Sequence, residues 1–295
     1  MASISMTDRE VQDMEFKKIG IIGTGLMGGG IAQVCAQAGY ETVSYDVNEA
    51  AFERTQNLIQ TSMDKMAARG KFTPEYVAET LARMSYTTDI TKLSGCNIVV
   101  EAVFENLEVK LNVLKQVEEV VNEQCLIFSN TSALSITTLG TALKHPERFM
   151  GTHFFAPVPV MKLVELVPGL DTSEETYQGA TKWAESIKKV SIKAPDTCGF
   201  ISNRLMPLPQ NEGAELIALG VDPYDIDACW KLFNQAPVGT MSIVDTGGSH
   251  VTLGCLTSIY EGMGDDRYRP HPYIKQLVAA GRLGVKTGQG IFKWN

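Results

Sequence analysis

The sequence predicts an α/β protein: a mostly parallel sheet interrupted by a helical hairpin, followed by a smaller all-helical domain. Three observations carry that expectation. A short apolar strand enters a glycine-rich turn near the start, strand-like and helix-like segments then alternate over most of the chain, and the remainder reads as helices alone.

The first element is Lys17-Lys18-Ile19-Gly20-Ile21-Ile22, a buried strand that runs into Gly23-Thr24-Gly25-Leu26-Met27-Gly28 and then a helix. In a turn of this kind Gly23 makes the tight bend, Gly25 lets a pyrophosphate approach the backbone, and Gly28 lets helix and strand pack closely. A bare G-x-G-x-x-G recurs by chance, so the context decides. An amphipathic helix from Ile31 to Ala38 ends at Gly39, and a second strand, Glu41 to Tyr45, stops at Asp46. An acid at that distance takes the ribose hydroxyls of adenosine and repels the 2′-phosphate of NADP, so NAD is the expected cofactor and the fold is Rossmann-like. The bland alternative is a strand, turn and helix without phosphate, with Asp46 as a simple cap.

Glu49 to Arg69 reads as a long helix, and Thr73-Pro74-Glu75 starts a second one that reaches Arg83. This pair is an insertion between strands; its Lys65, Arg69 and Lys71 form either a solvated face or a ligand contact. Alternation then resumes with a strand at Thr87-Thr88-Asp89, the apolar run from Ile98 to Val103, a helix from Leu107 to Asn122 and a strand from Cys125 to Ser129. Glu105 and Lys110 follow one strand end, and Asn130, Thr131 and Ser132 follow another. Polar groups there point into the crevice of the glycine-rich turn, or else cap helices.

Gly151 to Phe155 and Met161 to Val167 read as a strand pair joined through Ala156-Pro157-Val158-Pro159. Alternation puts Glu165 on the side of Met161, Leu163 and Val167, within an apolar face, where a carboxylate needs a partner. His153 on the preceding strand supplies one, and a histidine oriented by an acid is the usual base near neutral pH. Past Pro195 to Phe200 the pattern turns helical, with a helix from Ile201 to Leu219 and another capped by Asp222-Pro223-Tyr224. The expected domains are therefore a nucleotide-binding one over 1–198 and a helical one over 199–295 for substrate and dimerisation. Asn203 lies one turn into the first of these helices.

Composition agrees with a globular enzyme: 295 residues, 44% of them hydrophobic, with a formal charge of −8 that does not invite nucleic acid or an anionic membrane. The six cysteines show no C-x-x-C and no metal spacing, and read mostly as buried thiols of a reducing compartment. Asp8, Glu10, Asp13 and Glu15 argue against a signal or basic presequence, and no apolar run is long enough to span a bilayer. A cytoplasmic protein without metal is the expectation.

Taken together, the quoted runs resemble the L-3-hydroxyacyl-CoA dehydrogenase family, close to its short-chain 3-hydroxybutyryl-CoA type. The resemblance spans nearly the whole chain and includes Glu101-Ala102-Val103-Phe104-Glu105-Asn106-Leu107, Ser129 to Ser132, His153-Phe154-Phe155, Pro157 to Glu165, Asp196-Thr197, Asn203-Arg204 and Lys286-Thr287-Gly288. It implies a homodimer of fatty-acid and butanoate metabolism that uses NAD. His153 would be the catalytic base, Glu165 its orienting acid, and Ser132 and Asn203 hydrogen-bond donors to substrate. Gly23, Gly25, Leu26, Met27, Gly28, Asp46, Glu105, Lys110 and Asn130 would meet the cofactor, and Ser62, Lys65 and Arg69 the nucleotide end of CoA. The chain departs from the family pattern at Ala156, where asparagine is usual, at Cys198, where proline is usual, and at Pro237-Val238-Gly239-Thr240-Met241, which replaces a Gly-Pro-Phe turn at the acyl pocket. Two alternatives follow: a non-CoA hydroxy acid or carboxylated ring alcohol as substrate, and a non-catalytic NAD-binding structural or sensor protein.

Overall fold

Residues 18–22 form β1 (Lys18–Ile22), and β2 (Glu41–Tyr45) pairs with it in parallel on one side while β4 (Ile98–Glu101) pairs in parallel on the other. The computed structural model describes residues 15–294; the acidic positions Asp8, Glu10 and Asp13 lie outside them. The full sheet adds β3 (Met84–Thr87), β5 (Leu126–Ser129), β6 (Phe149–Phe154), β7 (Leu163–Pro168) and β8 (Val190–Lys193) in the order β3-β2-β1-β4-β5-β6-β7-β8. Only β6 and β7 run antiparallel. No helix among the described residues is long and apolar enough to cross a membrane.

Between β1 and β2 lies α1 (Leu26–Gln37), which starts earlier than the expected Ile31 and is not amphipathic: Gly28, Gly29 and Ile31 through Ala36 are buried. The reason is the insertion. Helices α2 (Ala50–Ala68) and α3 (Pro74–Ala82) cover the outer side of α1, and a Cβ on Gly29 would stand 2.8 Å from Thr55 Cγ2. Thr73 caps α3 as expected, its hydroxyl accepting from Tyr76 N at 3.2 Å. β3 corrects the expectation of a strand at 87–89: it ends at Thr87, because the Asp89 carboxylate accepts from Thr91 N and starts a 3₁₀ turn over Ile90–Leu93. Next come α4 (Leu107–Val120) and α5 (Ile136–Gly140), each capped at its N-terminus by a side chain, Asn106 and Ser135.

An unanticipated βαβ unit closes the sheet, with α6 (Glu174–Ser186) carrying the chain from β7 to the parallel β8. Its edge strand has only four residues, Val190-Ser191-Ile192-Lys193, and is mostly exposed, so its apolar alternation is too short to mark a strand. Trp183 of α6, Phe128 and Phe154 belong to the cluster that fills this side of the sheet together with Ile31, Val34 and Cys35 of α1.

The chain forms two compact units, Met1–Asp196 and Thr197–Asn295. The second is helical: α7 (Ser202–Leu205), α8 (Pro207–Ala218), α9 (Pro223–Asn234), α10 (Thr240–Gly247), α11 (Ser249–Met263) and α12 (Pro272–Ala279). The single helix expected over 201–219 is two, because Pro207 has no N–H to give to the carbonyl of Asn203. That carbonyl accepts the Cys255 thiol at 3.4 Å instead. Asp227 holds the start of α10, accepting from Met241 N at 2.7 Å and from Ser242 N at 3.0 Å. Gly239 is required there, since a Cβ would meet Asp227 Cγ at 2.0 Å, and Met241 is fully buried in the space left by Gly213. Of the six cysteines, Cys35, Cys96 and Cys125 are buried and Cys198 and Cys255 half-buried, whereas Cys229 is exposed.

Candidate active site

Parallel pairing brings the carboxyl ends of β1, β2, β4, β5 and β6 to one edge, where the sequence-predicted residues collect. At the end of β1, Gly23 adopts φ +93° and donates its N–H to Tyr45 O at 2.9 Å. A Cβ on Gly28 would stand 1.8 Å from Gly23 O, so helix and turn touch backbone to backbone. A Cβ on Gly25 would meet nothing within 4 Å. Leu26 is exposed and Met27 half-buried beside it. Asp46 Oδ2 accepts from Thr24 N and Thr24 Oγ1, both at 2.8 Å, and the Thr55 hydroxyl of α2 donates to Thr24 O. The turn is thus held from behind while its Gly25 side stays open. Open space at Gly25, a helix start behind it and a carboxylate at the end of β2 suit a dinucleotide.

Ends of β4 and β5 form a second group. Glu101, fully buried, accepts from Lys110 Nζ at 2.7 Å and Val103 N at 2.7 Å through Oε1, and from Ser129 Oγ at 2.6 Å through Oε2. Lys110 also lies 3.3 Å from Glu105 Oε2. Glu105 Oε1 in turn accepts from Thr131 Oγ1 at 2.5 Å, Ser132 N at 2.9 Å and Ala133 N at 3.1 Å. Burial raises the Glu105 carboxyl, but Lys110, Thr131 and the Ser132 N–H together lower it below the usual glutamate range. The Lys110 side chain is fully buried behind this edge. Besides Glu105 its ammonium meets Val103 O, just past β4, at 3.4 Å. Sequence reading had not assigned Glu101 a role; the signal was present in α4, where Lys110 occupies the apolar stripe with Leu114 and Val117.

The third group lies on β6 and β7. Because Ser129 pairs with Gly151, His153 sits level with the residues just past β5, and Asn130 Oδ1 accepts from Phe154 N at 2.9 Å. His153 and Glu165 are direct cross-strand partners, and Nδ1 lies 2.7 Å from Glu165 Oε2 with both side chains buried. A carboxylate only accepts, so Nδ1–H is the donor and Nε2 carries the basic lone pair. Phe155 packs on the ring with centroids 4.5 Å apart. Met161, expected on the strand with Glu165, belongs to the connection, since β7 begins at Leu163.

Ser62, Lys65 and Arg69 share one face of α2 at i, i+3 and i+7; Ser62 is half-buried and accepts from Gln33 Nε2 at 3.5 Å, while Lys65 and Arg69 are exposed. Asn203 sits half-buried on α7 of the second unit. Ala156 is exposed.

Residues 18–197 match the family model described as the NAD binding domain of 3-hydroxyacyl-CoA dehydrogenase, and 199–294 match that of its C-terminal domain. The chain is 40% identical over 280 residues to a "Probable 3-hydroxybutyryl-CoA dehydrogenase" of Deinococcus radiodurans, covering 94% of this chain and 100% of that protein. Identity to a protein of the same description from Bacillus subtilis is 36% over 282 residues, covering 95% and 98%. The crystal structure of the (S)-3-hydroxybutyryl-CoA dehydrogenase of Ralstonia eutropha superposes with a TM-score of 0.92 at 36% identity, covering 95% of this chain and 100% of that one.

Proposed function

Since this chain belongs to the 3-hydroxyacyl-CoA dehydrogenase family, we propose that it interconverts a short-chain L-3-hydroxyacyl-CoA and the 3-ketoacyl-CoA, with His153 as acid/base and Glu165 as the group that orients it. NAD, when bound, supplies the redox chemistry by exchanging a hydride with the substrate carbon. Gly23, Gly25, Leu26, Met27, Gly28, Asp46 and Asn130 are the residues that would hold it, with Glu105 and, through it, Lys110 shaping the nicotinamide side. In the oxidative direction His153 Nε2 takes the proton of the 3-hydroxyl while Glu165, on Nδ1, favours the imidazolium that results. In reduction the same nitrogen returns the proton to the carbonyl oxygen. Ser132 and Asn203 are the hydrogen-bond donors to that oxygen, each worth about 3 kcal/mol where charge develops. Ser62, Lys65 and Arg69 offer one hydroxyl and two cations on a single helix face to the phosphates of CoA.

The observation that carries this reading is the buried Nδ1–Glu165 pair, placed at the same sheet edge as the glycine-rich turn. A protein that only sensed NAD would have no use for a buried acid fixing one imidazole nitrogen. The proposal extends to a homodimer of the cytoplasm acting in fatty-acid metabolism. Support for the dimer comes from α9, where Leu232 and Phe233 are 83% and 85% exposed beside an apolar hollow of about 510 Å³ lined by Leu216, Ile226 and Trp230. The cysteines, all free, fit a reducing compartment.

The test follows NADH absorbance with acetoacetyl-CoA, and with free acetoacetate at equal concentration, for the wild type and His153→Ala. We expect fast oxidation with the thioester only, and a loss of about 10²- to 10⁴-fold in the variant while NADH binding persists. Turnover of free acetoacetate at a comparable rate would favour a non-CoA hydroxy acid. Full activity of His153→Ala would remove the histidine from the mechanism.

A further inference from the structure

Lys189, in the turn between α6 and β8, is a buried cation that the reaction as described does not use; it is 7% exposed. Its Nζ donates to two main-chain carbonyls, Val158 O at 2.5 Å and Met161 O at 2.7 Å. Among the described residues no carboxylate pairs with it. Burial holds the ammonium below the usual lysine range, and the Cys35 thiol acts weakly the other way. A lysine kept in so costly a place is doing something that its carbonyl partners need.

Both carbonyls belong to the connection from β6 to β7. The ladder between β6 and β7 ends at the Phe154–Val164 pair, one step beyond His153 and Glu165, so residues 155–162 lie outside that ladder. Val160 N and Met161 N bond back to Pro157 O at 2.9 and 3.0 Å, closing the segment on itself. Lys189 fastens that closed turn to the body of the domain, and next to it Val190 N donates to Lys162 O at 2.8 Å. The segment bears on the site at two points. Phe155 packs on the His153 ring, and Val158 packs so tightly on α1 that a Cβ on Gly30 would stand 2.8 Å from Val158 Cβ.

We propose that Lys189 is a positioning residue: by clamping the carbonyls of Val158 and Met161 it holds the 155–162 turn in place, and through Phe155 it holds the His153 ring in its working orientation. The proposal rests on His153 being the acid/base. The Lys189 ammonium is engaged by the two carbonyls of the turn, and the glycine-rich turn is held separately by Tyr45 O and Asp46, so the loss of Lys189 should act on turnover and spare binding.

Lys189→Met keeps the length of the side chain and removes its donors. We expect kcat for acetoacetyl-CoA reduction to fall about 10- to 100-fold, as a misplaced ring should cost, with KM and the NADH dissociation constant within about twofold of wild type. Lys189→Ala should regain turnover when n-propylammonium is added and not with tetramethylammonium, which has no N–H to donate. A wild-type kcat in Lys189→Met, or no rescue of Lys189→Ala by the amine, overturns the proposal. If Lys189→Met does not fold, Lys189→Ala refolded in n-propylammonium takes its place: turnover lost when the amine is dialysed away supports the clamp, and turnover retained overturns it. His153→Ala, measured beside them, separates the two ideas. Its retaining activity defeats the acid/base reading itself, whereas an inactive His153→Ala with a fully active Lys189→Met defeats the clamp alone.

Discussion

Lys110 Nζ lies 2.7 Å from Glu101 Oε1 with both side chains closed to solvent, and the same ammonium stands 3.3 Å from Glu105 Oε2, which holds the N–H groups of Ser132 and Ala133. One buried cation therefore joins the end of β4 to the loop after β5. Taking either charge out of water is expensive, and what offsets it here is completeness: Val103 N and Ser129 Oγ occupy further positions on Glu101. Lys110→Met leaves Glu101 uncompensated and should cost about 3–5 kcal/mol of stability. The double variant Glu101→Gln/Lys110→Met removes both charges and should lose less than Lys110→Met alone. Urea unfolding of the three proteins checks this, and a double variant less stable than the single would contradict it.

Glu105 makes the acid side of the stability profile predictable in sign. Burial raises its carboxyl, but Lys110, Thr131 and the Ser132 N–H leave it below the ordinary value of 4.5. A carboxyl lowered by folding adds stability above its unfolded value and forfeits it as the pH falls from there through its folded value. The difference in unfolding midpoint between wild type and Glu105→Gln should therefore be largest at neutral pH and shrink as the pH falls below about 4.5. A constant difference at every pH would show that the charge of Glu105 is not what matters.

Two glycines of the same turn should fail in opposite ways. Gly28→Ala drives a methyl to 1.8 Å from Gly23 O and forces the turn off α1, so it should lower the melting temperature. Gly25→Ala meets open space in the folded chain. It should leave the melting temperature unchanged and weaken NADH binding by about tenfold or more, because the methyl occupies the approach of the phosphates. Calorimetry and NADH fluorescence titration distinguish the two.

Thiol reactivity should single out one cysteine. Burial pushes Cys35 and Cys125 up to about 12 and Cys96 and Cys255 up to about 11, so none forms thiolate readily near neutral pH, and Cys229 is the exposed one. Maleimide labelling of the native protein followed by peptide mass spectrometry should find Cys229 modified first and the buried three only after unfolding. Rapid labelling of Cys35 would mean that the α1 face of the sheet opens in solution.

Sequence alone determined the parts whose signals are local. The strand, glycine turn and Asp46 lie within one βαβ stretch, and the proximity of His153 and Glu165 follows from two strands joined by a short connection, so alternation places the acid opposite the base. The paired helices of the insertion were legible for the same reason, through the Thr73 cap and Pro74. Other features were decided by tertiary structure. The buried places of Lys110 and Glu101 lie on apolar patterns of their own elements, but that the two charges meet is set by the packing of α4 on β4. Lys189 is one of three cations in the run from Lys188 to Lys193, and only the turn from Val158 to Met161, folded against it, distinguishes it from the others. The edge strand β8 is illegible because four residues, mostly exposed, give an alternation too short to mark a strand, and the break at Pro207 is tolerated because Cys255, from a distant helix, takes up the carbonyl it strands. Periodicity reveals which face of an element is buried; which group a buried charge will meet is set by the packing of elements far apart in the chain.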